Sequence, residues 1–305
     1  MIVTRELISR RGFLGRGTEV AGGLLVGAMT IPTAVAAAPA KTSAKMRFGL
    51  TTYQWGKDWD IPTLITNCAQ AGAPGVELRT SSSYAHGVEL GINDQRRSEV
   101  TKRFQDCPVT LVGLASGENL DSPDPAKLKA AIENMKGYLK LSHDVGGSGV
   151  RVLPNAFHKE VPREQTIAQI AKALDAIGAY AADYGQQVRL EAHGSAGELP
   201  TIRAIMDQVH QPGVRVKLNS SPRDNEGKGF EYNFNLVKPF LGSTVHVHDL
   251  SDSKFPNQLQ IDLLVKMDWA GWILLESSAK VPDRVQALRQ QRELWEKMVA
   301  KSLKG

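Results

Sequence analysis

The run Thr244-Val245-His246-Val247-His248-Asp249 sets two imidazoles on alternate residues of an apolar stretch and closes it with a carboxylate. Imidazoles so spaced share one face of an extended chain, where they can hold a metal ion, carry protons or simply pack. The same alternation recurs elsewhere. In residues 187–193, Val188 and Leu190 oppose Arg189, Glu191 and His193; in 214–219, Val214, Val216 and Leu218 oppose Arg215, Lys217 and Asn219. Residues 75–79 set Val76 and Leu78 against Glu77 and Arg79, and residues 271–276 set Ile273 and Leu275 against Trp272, Leu274 and Glu276. Two chemistries fit such a charged face. It can form an acid–base or ion-binding centre, or it can close as a salt-bridge network in which Arg189, Arg215 and Lys217 neutralise Glu77, Glu191 and Glu276.

These side chains need strands that deliver them to one place. Strands are predicted at residues 46–52, 75–79, 109–115, 149–153, 187–193, 214–219, 244–249 and 271–276, with helical periodicity between them. In 125–143, for example, Leu128, Ile132, Met135, Leu139 and Leu141 fall largely on one face. Asp124 and Pro162 mark helix starts, and Gly146-Gly147 marks a stop. Eight strand–helix alternations in roughly 250 residues predict an α/β fold, a single-domain (β/α)8 TIM barrel over residues 41–305. Apolar sets then face the helices and charged sets the interior, which is costly unless the charges are paired or used. Gly146-Gly147-Ser148-Gly149 precedes a strand rather than following one, so it reads as a turn and not as a phosphate cradle.

The first forty residues read differently. Ser9-Arg10-Arg11-Gly12-Phe13-Leu14 is a twin-arginine pattern, residues 20–31 form a short apolar core, and small-x-small steps allow cleavage near Ala38 or Ala40. An exported, periplasmic protein with no stable membrane anchor is expected, because the apolar core is shorter than the ~20 residues that span a bilayer. Removing residues 1–40 lowers the formal charge of +5 to about +3, and no basic run suggests nucleic-acid binding. Cys68 and Cys107 are two lone cysteines, open to pairing or to burial as free thiols. Homo-oligomerisation is left open.

Of seven histidines, His143 and His210 close predicted helices, whereas His86, His158, His193, His246 and His248 fall at strand ends or in the loops that follow them. That is the rim where barrels of this kind carry their chemistry. Tyr53, Trp55 and Trp59 follow the first strand onto the same rim, where aromatic faces could stack on a ligand or pack across the barrel top.

"VRLEAHG", "TVHVHD" and "GWILLES", ending the fifth, seventh and eighth strands, resemble the xylose isomerase-like barrels of sugar and sugar-phosphate isomerases and epimerases. The resemblance implies one divalent ion (manganese, cobalt, magnesium or zinc) held by Glu191, Asn219, His246 and Glu276. It further implies Glu191 and Glu276 as the catalytic acid–base pair. Trp55, Arg79, His86, His193, Lys217, Asp224 and His248 are then expected to contact a small carbohydrate. Two departures stand out in "VKLNSSPRD": Asn219 replaces the usual aspartate, and Pro222 stands where a histidine is usual. An amide oxygen coordinates without contributing charge, so ion binding is expected to be weak or absent, and Lys217 could stand in for the cation. Asp224 could supply the missing acid or serve as a turn residue.

Three functions remain compatible with these residues: a metal-dependent sugar isomerase, epimerase or keto-sugar lyase; a non-catalytic carbohydrate-binding barrel with a degenerate ion site; and a nuclease of the endonuclease IV kind. The nuclease is the poorest fit, because export separates it from chromosomal DNA and its multi-zinc site needs more ligands than the chain places.

Overall fold

The computed structural model of the protein describes residues 44–304 except residue 82; the export signal expected over residues 1–40 lies outside the described residues. Eight strands alternate with eight α-helices. The strands are β1 (Arg47–Thr51), β2 (Gly75–Arg79), β3 (Thr110–Asn119), β4 (Gly149–Leu153), β5 (Gln187–Glu191), β6 (Val214–Lys217), β7 (Thr244–Val247) and β8 (Trp272–Leu275). The helices are α1 (Ile61–Ala71), α2 (Asp94–Gln105), α3 (Pro125–Asp144), α4 (Arg163–Ala182), α5 (Leu199–Met206), α6 (Phe230–Val237), α7 (Asn257–Lys266) and α8 (Arg284–Ser302). All pairings are parallel, in the order β6-β5-β4-β3-β2-β1-β8-β7.

The two end strands of that order meet. The His246 amide donates to Leu218 O at 2.9 Å and the Gly242 amide to Val216 O at 2.8 Å, which brings the sheet to a nearly closed (β/α)8 barrel. Ser220, held at φ 49°, reinforces the seam by donating its hydroxyl to His246 O at 2.7 Å. A left-handed serine is uncommon, and its cost is offset by this cross-strand anchor.

The helices begin where short polar side chains can cap them. Asp60, Asn93, Asp124 and Asp283 each accept a hydrogen bond from a first-turn amide. On the outer wall Val188, Leu190, Val214 and Val216 join Ile170, Leu174 and Ile177 in one continuous apolar core. The expected division therefore holds: apolar faces meet the helices and polar faces turn inward.

The N-terminal end of the barrel is plugged. Trp272 and Arg189 fill the interior there, and a Cβ at Gly75 would run into the Trp272 ring while one at Gly149 would press on the Arg189 guanidinium. Arg189 is held by Val112 O at 3.2 Å and Ser148 Oγ at 2.8 Å. Filling of this end leaves the opposite rim for ligands. Among the described residues no helix is long and apolar enough to cross a membrane. Cys68 and Cys107 are free thiols, and burial pushes Cys68 up to about 12.

Candidate active site

Four strands converge on the His246 imidazole. It leaves β7 with no solvent exposure, and its Nε2 lies 2.6 Å from Glu77 Oε2 on β2, across the barrel. Its other nitrogen, Nδ1, faces Glu191 Oε2 at 3.0 Å and Glu276 Oε2 at 3.4 Å. A ring with carboxylates at both nitrogens holds both protons in the absence of a competing cation. Burial and the Lys217 charge oppose that state, but Glu191, Glu77 and Glu276 prevail and raise the imidazole to about 10.

Cations enclose the carboxylates in turn. Lys217, fully buried on β6, donates to both Glu77 oxygens at 2.8 and 2.7 Å and lies 3.6 Å from Glu191 Oε2. Arg151 on β4 reaches Glu191 Oε1 at 3.2 Å, its remaining donors being taken by Ser116 O at 3.0 and 2.8 Å. Arg79 donates to Glu276 Oε1 at 2.8 Å and lies over the Tyr53 ring at 4.6 Å. Burial works against ionisation of all three glutamates. Lys217, His246 and Arg189 nonetheless hold Glu77 well below the usual carboxylate range, and Arg151, His246 and Lys217 do the same for Glu191. His246 and Arg151 bring Glu276 to about 2, despite repulsion from Glu191. All three are charged at neutral pH.

The donor set for a divalent ion is nevertheless present. One atom each from Glu191, His246 and Glu276 lies within 4.8 Å of the others. His246 Nδ1, Glu191 Oε2 and Asn219 Oδ1 are among several buried polar atoms of the described residues that make no aligned hydrogen bond, although the first two face each other at 3.0 Å as an ion pair. Three of the four residues expected to hold an ion thus carry a buried donor or acceptor whose hydrogen-bonding capacity is not fully used. They fit it chemically as imidazole, carboxylate and amide oxygen. The local charge resists it. Three carboxylates face Arg79, Arg151, Arg189 and Lys217, so a dication that displaces the His246 proton adds one further positive charge.

The salt-bridge network read in the sequence is therefore present with changed membership, and Arg79 joins it on Glu276. Arg215 makes no ion pair among the described residues, and Arg151 supplies a cation for Glu191 instead. Arg151 was the residue that sequence reasoning passed over, although it alternates with Val150 and Val152 in the pattern of the other inward charges. Glu77 was legible as an inward charge but not as a partner of His246.

The other rim residues divide by position. His193, Asn219, Arg223 and Asp224 line a cavity of about 300 Å3 beside the β5 and β6 ends. His248 turns its Nδ1 to Glu276 O at 3.0 Å. Trp55 is buried, its indole donating to Ala279 O at 2.8 Å, so it ties the loop after β1 to the loop after β8. His86 has no exposure, and backbone groups take both ring nitrogens: Nε2 meets Arg79 O and Nδ1 accepts from the Val88 amide, each at 3.0 Å. Burial lowers its pKa to about 4, so it stays neutral.

Asp224 closes a short turn, accepting from the Ser221 amide at 3.2 Å. Burial pushes its pKa up to about 7 against the opposing effect of that amide. A carboxyl raised on folding adds stability that is complete below its unfolded pKa near 4 and is lost as pH rises through 7. Asp224→Asn keeps an acceptor for the Ser221 amide and removes this dependence. Its melting temperature should match the wild type near pH 4.5 and exceed it by roughly 5 °C at pH 8, given about 2–4 kcal/mol for such a shift. A gap that stays constant across that range would rule out ionisation of Asp224 as the cause.

A barrel with this ionisable mouth belongs to the α/β enzymes-and-binders class that works at strand C-termini. Residues 65–298 match the xylose isomerase-like TIM barrel family, and the chain belongs to it. No curated protein matches the chain by sequence. Among solved structures it is similar to an L-ribulose 3-epimerase (15% identity, 84% of this chain and 95% of that one, TM-score 0.71). It is likewise similar to the 3-keto-D-glucoside 4-epimerase of E. coli (14%, 83% and 99%, 0.67). A third is the D-psicose 3-epimerase of Clostridium cellulolyticum H10 bound to D-tagatose (16%, 85% and 97%, 0.65).

Proposed function

We propose that the protein is a divalent-metal-dependent sugar isomerase or epimerase, or a keto-sugar lyase, acting by proton abstraction beside a carbonyl. The observation that carries this reading is the convergence of Glu191 and Glu276 on Nδ1 of His246, at 3.0 and 3.4 Å, in one compact donor set. Glu191, His246 and Glu276 would hold the ion, with Asn219 Oδ1 as the uncharged fourth donor. Bound there, a divalent ion supplies a Lewis acid for a carbonyl and its neighbouring hydroxyl. One ionised glutamate of the pair can take the proton from the carbon, and the other, once protonated from a substrate hydroxyl or solvent, can return one on the opposite face for epimerisation. Loss of that proton leaves an enediolate, and Arg79, a quarter exposed at its side chain, can face the developing charge. His193 and Asp224 line space for further hydroxyls. The twin-arginine pattern supports action outside the cytoplasm, on a small carbohydrate.

The test is solvent-deuterium exchange by 1H NMR, with Mn2+-supplemented protein and a panel of D-fructose, D-tagatose and 3-keto-glucosides. Loss of one C–H signal beside the carbonyl is expected for at least one sugar. Stoichiometric ion with no exchange on the panel would remove the enzyme reading. The commitment of Glu191 and Glu276 to Arg151 and Arg79 favours a second reading, a non-catalytic carbohydrate-binding barrel. Ion-free protein whose melting temperature still rises with these sugars supports it. Asn219→Asp adds a charge at the missing donor and should tighten Mn2+ binding about tenfold or more by titration calorimetry. An unchanged Kd would exclude residue 219 as a ligand.

A further inference from the structure

Glu77 makes the shortest contact to His246, yet it stands outside the expected ligand set. It lies on β2, which is not a neighbour of β7, and it is completely buried. Its carboxylate is held from three sides: Lys217 Nζ at 2.8 and 2.7 Å, His246 Nε2 at 2.6 Å and the Arg189 guanidinium at 3.7 Å. Rotating the imidazole by half a turn would exchange each nitrogen for a carbon. Glu77 would then face C–H, and so would the gap between Glu191 and Glu276. The ring orientation that satisfies Glu77 is thus the one that aims Nδ1 at that gap.

We infer that Glu77, clamped by Lys217, is a positioning residue that fixes the His246 tautomer and aims Nδ1 as a divalent-cation ligand. This rests on the proposed ion site and deepens it. It also gives Lys217 a role other than substitute cation: its ammonium immobilises the carboxylate that orients the ligand. Outer partners of ligand histidines commonly govern ion affinity by 10–100-fold.

The experiment compares Mn2+ binding by titration calorimetry in the full chain and two double variants. Glu77→Met with Lys217→Met removes one acid and one base together, so the net charge is unchanged; Arg189 loses its carboxylate and keeps Val112 O and Ser148 Oγ. Apolar replacement of a buried pair is commonly tolerated by the fold. Its Mn2+ Kd should rise 10–100-fold. Glu77→Gln with Lys217→Met keeps an acceptor for Nε2–H and should bind within a few-fold of the all-Met pair's parent, the wild type. Imidazole 15N spectra with Zn2+ supply the second readout: in the wild type Nδ1 shifts on binding while Nε2 stays protonated. Two double variants that bind Mn2+ like the wild type, or a Zn2+ shift at Nε2 in the wild type, would overturn the inference. Wild-type protein that takes up neither ion removes the ion site itself and this inference with it, an outcome distinct from an intact site indifferent to Glu77.

Discussion

Glu276→Gln should lower deuterium exchange on the responsive sugar by between about a hundred- and ten-thousand-fold, the span associated with loss of a positioned general base. The substitution is close to isosteric, and the released partner, Arg79, is a quarter exposed at its side chain and can be solvated. Folding should therefore survive, so the loss falls on the reaction. Glutamine also weakens the ion site, and saturating Mn2+ separates the two effects. A deficit that persists at saturation belongs to proton transfer. Full recovery at high Mn2+ would assign Glu276 to ion binding alone and leave Glu191 as the sole base.

Arg151→Met should have the largest effect on stability. Arg151 is 1% exposed and Glu191 has no exposure, and the guanidinium spans from Ser116 O to the Glu191 carboxylate. Removing one member of a buried pair leaves the other uncompensated, at a cost of about 3–5 kcal/mol. For a domain of this size that is a fall in melting temperature on the order of 10 °C. Lys217 and His246 remain near Glu191 but already serve Glu77. The double variant Arg151→Met, Glu191→Gln should recover much of the loss, because the orphaned charge is gone. If the single change costs less than ~1 kcal/mol, Arg151 is not what holds Glu191 ionised.

The two substitutions probe parts of the site that differed in how readable they were. Period-two alternation placed Glu191, Lys217 and His246 on inward faces, because a parallel barrel leaves charged side chains no other direction. The borders of β2 and β4 were equally plain, each framed by an opening glycine and a run of valine and leucine. β3 was not: it runs on through Ser116-Gly117-Glu118-Asn119, a stretch with the composition of a turn, because backbone pairing with β4 reaches Asn119. β6 and β7 end earlier than expected, so Asn219 and His248 sit in loop backbone just past the sheet. Pairing across the barrel left no local trace. Nothing near Glu77 announces that an imidazole 169 positions later will face it, and Arg151 between two valines resembles any strand residue until Glu191 stands beside it.

The Trp272–Arg189 plug makes the interior a blind alley rather than a tunnel. Whatever enters must depart by the way it came, over the rim at the C-terminal ends of the strands. For the proposed rearrangement, whose two sides are alike in size and charge, such a vessel would give both a single shared way in and out.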